Sequence, residues 1–69
     1  MDWQDDGEGG SFCVVSGMLF VAFPSEGRFA AGAQLGQSVT YIGSYGRVRE
    51  ARAACDRWLS RLAGTVYAG

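Results

Sequence analysis

The sequence predicts an α+β fold, a three-stranded antiparallel sheet with one C-terminal amphipathic helix packed on one face. Three observations predict it. Residues 46–63 repeat apolar side chains at spacings of three and four, as a helix with one buried stripe does. Residues 11–23 contain two β-rich runs on either side of Ser16-Gly17, and residues 38–44 alternate between two sides. The predicted order of elements is therefore β-β-loop-β-α.

Length and composition indicate one small domain. The chain has 69 residues, of which 48% are apolar, so a packed core is expected. We divide it into residues 1–10, a flexible acidic arm, and residues 11–69, a single small α+β domain. Glycines at positions 7, 9 and 10 discourage regular structure in the arm, whereas Trp3 is expected to pack on the domain.

The location of the protein is predicted from its amino terminus and its apolar runs. The start is acidic, whereas a secretory signal begins with a basic region. The longest unbroken apolar run, residues 18–23, is too short to cross a bilayer. We therefore expect no membrane partner and a cytoplasmic location.

The first two strands, residues 11–15 and 18–23, form a predicted hairpin that ends near Pro24. Its second strand is apolar on both faces, because Leu19, Val21 and Phe23 alternate with Met18, Phe20 and Ala22. Strands of this kind are normally covered on both faces, and one helix covers only one. The second face therefore requires the arm, the next loop, a second copy in a homodimer, or a partner protein.

The remaining elements follow in order. Residues 24–37 are rich in Gly and Ala and are predicted to be a loop, and residues 38–44 are the third strand. Ser44 or Gly46 is expected to cap the helix, and Gly64 is expected to end it, leaving residues 65–69 as a tail. The apolar stripe of the helix consists of Val48, Ala51, Cys55, Trp58, Leu59 and Leu62.

The residue types argue against catalysis. The chain has no histidine, and its serines and cysteines have no evident base beside them. Cys13 and Cys55 are too few for a zinc site and are interpreted as small buried hydrophobic residues rather than a disulfide. We expect no catalytic residue, no metal and no cofactor.

Charge is distributed unevenly along the chain. Residues 1–27 hold five carboxylates and no base, and residues 28–69 hold six arginines against two carboxylates. Blocks of one sign often mark binding surfaces. The predicted partner-binding residues are Asp2, Asp5, Asp6, Glu8 and Glu26, and the alternative nucleic-acid-binding residues are Arg47, Arg49 and Arg52. For the arginines, a solvated helix face with Arg52 paired to Asp56 is the competing interpretation.

Two stretches resemble nucleic-acid-binding families. Residues 16–23 are similar to the aromatic strand motif of RNA-recognition domains at Gly17, Phe20, Val21 and Phe23, and a buried strand explains the same pattern. Residues 49–54 resemble the start of the last helix in double-stranded-RNA-binding domains. That resemblance implies that basic side chains and the helix amino terminus meet phosphates.

A further resemblance concerns the whole chain and rests on its general properties, not on a motif. Its size, acidic start, compact plan and lack of catalytic residues are together similar to small phage-encoded inhibitors, notably anti-CRISPR proteins. The resemblance implies a non-catalytic inhibitor in the cytoplasm of the host cell that binds a subunit of a CRISPR surveillance complex. Its acidic surface would act as a DNA mimic in a basic groove. Direct binding of nucleic acid through the arginines is the alternative.

Overall fold

The computed structural model describes the backbone of residues 2–68 and the side chains of residues 2–62. Five strands form one antiparallel sheet in the order β1-β2-β3-β4-β5, and helix α1 follows. Every strand pairs with its neighbour in the sequence, and α1 packs on β3, β4 and β5. The bounds are β1 Gln4–Asp5, β2 Ser11–Val15, β3 Met18–Ser25, β4 Arg28–Leu35, β5 Ser38–Tyr45 and α1 Val48–Ala68.

The predicted sheet of three strands is wrong, because the sheet has five, although the α+β class and the covering helix are as predicted. The predicted loop at residues 24–37 contains β4, which pairs with β3 on one side and β5 on the other. Ala and Gly have low strand propensity, so the composition of this segment indicated a loop. Two long neighbours and the close approach of the helix outweigh that local preference.

The predicted acidic arm supplies the fifth strand. Gln4 pairs with Phe12, and Asp5 pairs with Ser11, so residues 4–5 extend the sheet beyond β2. The preceding Trp3 packs against the core, as predicted. Residues 1–10 are therefore joined to the domain by backbone pairing and by one large aromatic side chain.

Tight turns connect the long strands. Ser16 and Gly17 both have positive φ, as do Glu26 and Gly27, which is the geometry of type I′ hairpin turns. The first turn confirms the predicted hairpin of β2 and β3. The second turn was not predicted from the sequence, and neither was the continuation of β3 through Pro24. Since β2 pairs with β3 only as far as Ala22, one side of β3 is an edge there, where proline is tolerated.

The core lies between α1 and one face of the sheet, which we call the covered face. Phe20 is fully buried at its centre and meets Trp58 edge to face, with the ring centroids 5.9 Å apart. Small residues surround this pair on both layers, so that the helix lies close to the strands. They are Cys13, Ala22, Ala31 and Ala33 from the sheet and Ala51, Ala54 and Cys55 from the helix.

The two ends of α1 correct the sequence prediction. The helix begins at Val48, and its first carbonyl acceptor is Arg47, which receives the N–H groups of Glu50 and Ala51. The predicted cap Ser44 instead accepts a hydrogen bond from Arg28. The predicted stop at Gly64 is wrong, because the helix continues to Ala68. Glycine inside a helix costs about 1 kcal/mol relative to alanine, which weakens a helix without ending it.

Both cysteines are buried and free, as predicted. The thiol of Cys55 lies 3.8 Å from the carbonyl oxygen of Val21. Burial raises the pKa of Cys55 from 9.0 to about 11, and the nearby Cys13 adds to the increase. A thiol with this pKa stays protonated at neutral pH and is a poor nucleophile.

The raised pKa of Cys55 predicts a specific loss of stability at alkaline pH. The unfolded chain releases this proton from about pH 9, whereas the folded chain retains it to about pH 11, so the free energy of unfolding should fall across that window. Urea unfolding at a series of pH values measures the slope. Cys55→Ala should show a shallower slope than the parent, and identical slopes would contradict the assignment.

Candidate binding surfaces

The acidic turn, residues 5–10, joins β1 to β2 and is held by its own side chains. Oδ1 of Asp6 accepts hydrogen bonds from the backbone N–H groups of Glu8, at 2.7 Å, and Gly10, at 3.0 Å. Oδ1 of Asp5 accepts from the N–H of Gly7 at 2.9 Å. The backbone closes the same turn, since the Asp6 N–H donates to the Gly10 carbonyl at 3.1 Å. Aspartate side chains commonly build turns in this way.

Gly10 is required for this arrangement. A Cβ at position 10 would lie 2.5 Å from Oδ2 of Asp6 and 3.1 Å from the carbonyl oxygen of Ala22. The carboxylate of Asp6 is therefore folded over a glycine, while Asp5, Asp6 and Glu8 all remain exposed to solvent. The acidic turn presents three carboxylates on a backbone of defined shape.

The other two predicted partner-binding residues, Glu26 and Asp2, lie outside this turn. Glu26 is exposed in the turn between β3 and β4. Because Ser11 pairs with Ala22, the acidic turn and the Glu26 turn project from the same end of the sheet. Asp2 is exposed and precedes the start of β1, away from that end. The structure thus brings four of the five carboxylates to one end.

Arg52 has a structural role. Its Nε lies 3.1 Å from Oγ of the buried Ser11, and its Nη2 contacts the same oxygen. Its guanidinium also stacks on Trp3, with Cζ 5.8 Å from the ring centroid. Arg52 therefore fastens the N-terminal segment to the helix, and this contact replaces the expected pair with Asp56.

The other arginines of the helical region are exposed. Arg47 precedes α1, and Arg49 lies in its first turn. Arg49 and Arg57 line a shallow groove of about 410 Å³ with Tyr45 and the carboxylate of Glu50, and Arg57 and Arg61 line a second groove beside it with Ile42. At 1.5 Å per residue, Arg57 lies about 12 Å from Arg49 and about 6 Å from Arg61 along the helix axis. The sequence prediction did not include Arg57 and Arg61.

The second face of the sheet, which we call the open face, is largely apolar, and none of the residues that the structure describes forms a layer over it. Val14, Val39 and Tyr41 are 65%, 72% and 68% exposed, and Phe23 is 43% exposed. Backbone register places these side chains opposite the covered face. The large apolar side chains of the open face are Phe12, Val14, Leu19, Val21, Phe23, Val39 and Tyr41, and β4 adds Arg28, Ala30, Gly32 and Gln34. The arm and the predicted loop both became strands, so neither covers it.

Within the described residues, no group of three or more His, Cys, Asp or Glu side chains is arranged to hold a metal ion. In the same part of the chain, no helix combines the length and the apolar character needed to span a bilayer. Comparisons with protein-family models, curated proteins and solved structures find no match to this chain.

The hydrogen bonds of the acidic turn predict how substitutions of Asp6 change the free energy of unfolding. Asp6→Ala removes the acceptor of two backbone N–H groups and should lower the free energy of unfolding by about 1–2 kcal/mol. Asp6→Asn retains an acceptor oxygen at the same position and should cost much less. Urea unfolding of the two variants measures the difference. Equal losses would mean that charge, and not the hydrogen bonds, stabilises the turn.

Proposed function

We propose that the chain is a non-catalytic inhibitor that inserts its acidic turn into a basic groove of a partner protein. The partner is a subunit of a nucleic-acid-handling complex, and in the most specific form of the proposal it is a CRISPR surveillance complex in the host cytoplasm. The observation that carries the proposal is the acidic turn, in which Asp5, Asp6 and Glu8 are exposed on a hydrogen-bonded backbone.

The geometry of the turn supports recognition as well as attraction. A flexible arm would lose conformational freedom on binding, whereas a turn held by three side-chain hydrogen bonds has less to lose. Three exposed carboxylates within one short turn also steer the molecule toward a positive surface and raise the association rate. A groove that normally holds a phosphate backbone offers such a surface.

The chain offers a variant that removes charge and keeps the shape of the turn. Asp5→Asn combined with Asp6→Asn preserves both Oδ1 acceptors and removes two negative charges. Glu50→Gln combined with Asp56→Asn is the matched control, because it removes two exposed carboxylates from α1. Both double variants change the net charge equally.

The test is the plaquing of a phage in cells whose CRISPR system targets it. Expression of the parent chain should restore plaquing, the Asp5→Asn/Asp6→Asn variant should lose that protection, and the helix control should retain it. Lack of protection by the parent against each CRISPR type tested would refute the CRISPR target. Equal protection by both double variants would refute the acidic turn as the binding surface.

A second candidate function is favoured by the arginine grooves. Arg49, Arg57 and Arg61 line neighbouring grooves together with Tyr45, and an arginine row beside an aromatic ring suits a nucleic-acid backbone and its bases. This assignment changes the alternative site predicted from sequence, because Arg52 is engaged by Ser11 and Trp3. The acidic turn lies beside β2, near the edge of the sheet that is opposite the β5 edge.

The second candidate predicts binding of duplex DNA or RNA at low salt, measured by fluorescence anisotropy. Arg57→Gln should weaken binding and reduce the slope of log K against log salt by about 0.9, the value for one phosphate contact on B-DNA. Arg28→Gln, on the open face, is the control and should leave binding unchanged. Absence of binding to either duplex at low salt would eliminate this function.

A further inference from the structure

We propose that the open face is the interface of a homodimer, in which two copies stack sheet on sheet with their helices on the outside. This surface is separate from the acidic turn and from the arginine grooves, so the inference does not rest on either proposed function. It accounts for the apolar side chains that a single copy leaves in water.

Large apolar side chains lie on both faces of the sheet, but only one face is covered by the helix. In the described part of the chain, Phe20 and Cys55 are the largest side chains that are fully buried. Much of the remaining core consists of alanine. The open face, by contrast, carries two phenylalanines, a tyrosine, a leucine and three valines. Seven large apolar side chains therefore lie on the open face without a covering layer among the described residues, and a small domain has little spare stability to leave them in water.

The open face is large enough to form an interface between two copies. Strands β2 to β5 span roughly 19 Å across at 4.8 Å per strand, and eight residues span roughly 26 Å along a strand. The open face thus presents roughly 400–500 Å² in projection, at the size at which exposed apolar patches mark interaction sites. Two such faces bury about 900 Å² before surface relief is added, close to the ~1,000 Å² that a specific interface requires.

The open face carries little charge. The open face of β2 to β5 carries no carboxylate in the backbone register. Its arginine, Arg28, donates from Nε to the Ser44 hydroxyl and from Nη2 to the Ser44 carbonyl. Gln34 donates from Nε2 to the carbonyl of Gly36. Arg28, the first residue of β4, is thus the one charged side chain that the described strands β2 to β5 place on this face, and its polar groups find partners within the same chain. A surface with a single charge at one end repels its own copy little, and it offers little to a phosphate backbone.

A second copy is the occupant that fits these three properties together. The face matches itself in charge and in apolar character, as an isologous two-fold interface requires. Two twisted sheets with bulky inner side chains pack about 10 Å apart, with strands rotated by about 30°. The dimer is then a four-layered particle with helix, sheet, sheet and helix, and each acidic turn projects from the end of a sheet.

The test is the mass of the chain in solution, measured by sedimentation equilibrium up to about 100 µM, where self-association is favoured by mass action. The parent should be a dimer. Val14→Glu and Val39→Glu lie on β2 and β5, at opposite sides of the open face, and each should yield a monomer with an unchanged circular dichroism spectrum. Thr40→Glu is the matched control, because Thr40 is exposed on the covered side of the same strand.

Three results would overturn the proposal. A monomeric parent at the highest concentration would leave the open face to a different protein. A dimer that persists in Val14→Glu would place the interface elsewhere, for example at the unpaired edge of β5. Loss of the dimer in Thr40→Glu would show that the effect is not specific to the face. If a glutamate variant unfolds, Tyr41→Ser provides the same readout with a smaller perturbation, because Tyr41 is 68% exposed.

Discussion

The close approach of α1 to the sheet is the constraint on which the rest of the structure depends. Ala22, Ala31 and Ala33 of the strands share one buried cluster with Ala51 and Cys55 of the helix, and the Cys55 thiol reaches within 3.8 Å of the Val21 carbonyl oxygen. Phe20 and Trp58 then fill the space that remains. Because interiors are close-packed, a layer of small residues admits few large ones. Since strand residues alternate between faces, each strand that sends Val15, Phe20 or Ile42 toward the helix also places large apolar residues such as Val14, Val21 or Tyr41 on the open face.

Sequence reasoning predicted the elements whose pattern is local and missed those that depend on distant partners. The helix stripe, the hairpin around Ser16-Gly17 and the strand at residues 38–44 each carry their own periodicity. Strand β4 does not, because Ala31 and Ala33 are buried in the core cluster with the helix and have low strand propensity of their own. The sequence alone showed that β3 is apolar on both faces and that one helix can cover only one of them. In the structure, the second face is open.

The acidic segment was partly predictable. Asp5 and Asp6, each followed by glycine within a few residues, are a common source of side-chain-built turns, and this pattern was available in the sequence. The contact that joins the segment to the helix was not. Arg52, Ser11 and Trp3 are far apart in sequence, and only the pairing of β1 with β2 brings them together. The same contact removes Arg52 from the set of arginines available to a ligand.

The architecture separates three surfaces on a very small chain. The acidic turn extends from the β1 side of the sheet, the arginine grooves lie between α1 and β5, and the apolar open face lies across the sheet from the helix. Charged groups are costly to bury and apolar groups are costly to expose, so a surface used for self-association is best kept free of the charges used for recognition. Dimerisation through the open face would stabilise the fold and leave the acidic turns accessible at the ends of the two sheets. Stability and recognition can then be changed independently, because no open-face residue contributes to the hydrogen bonds that hold the acidic turn.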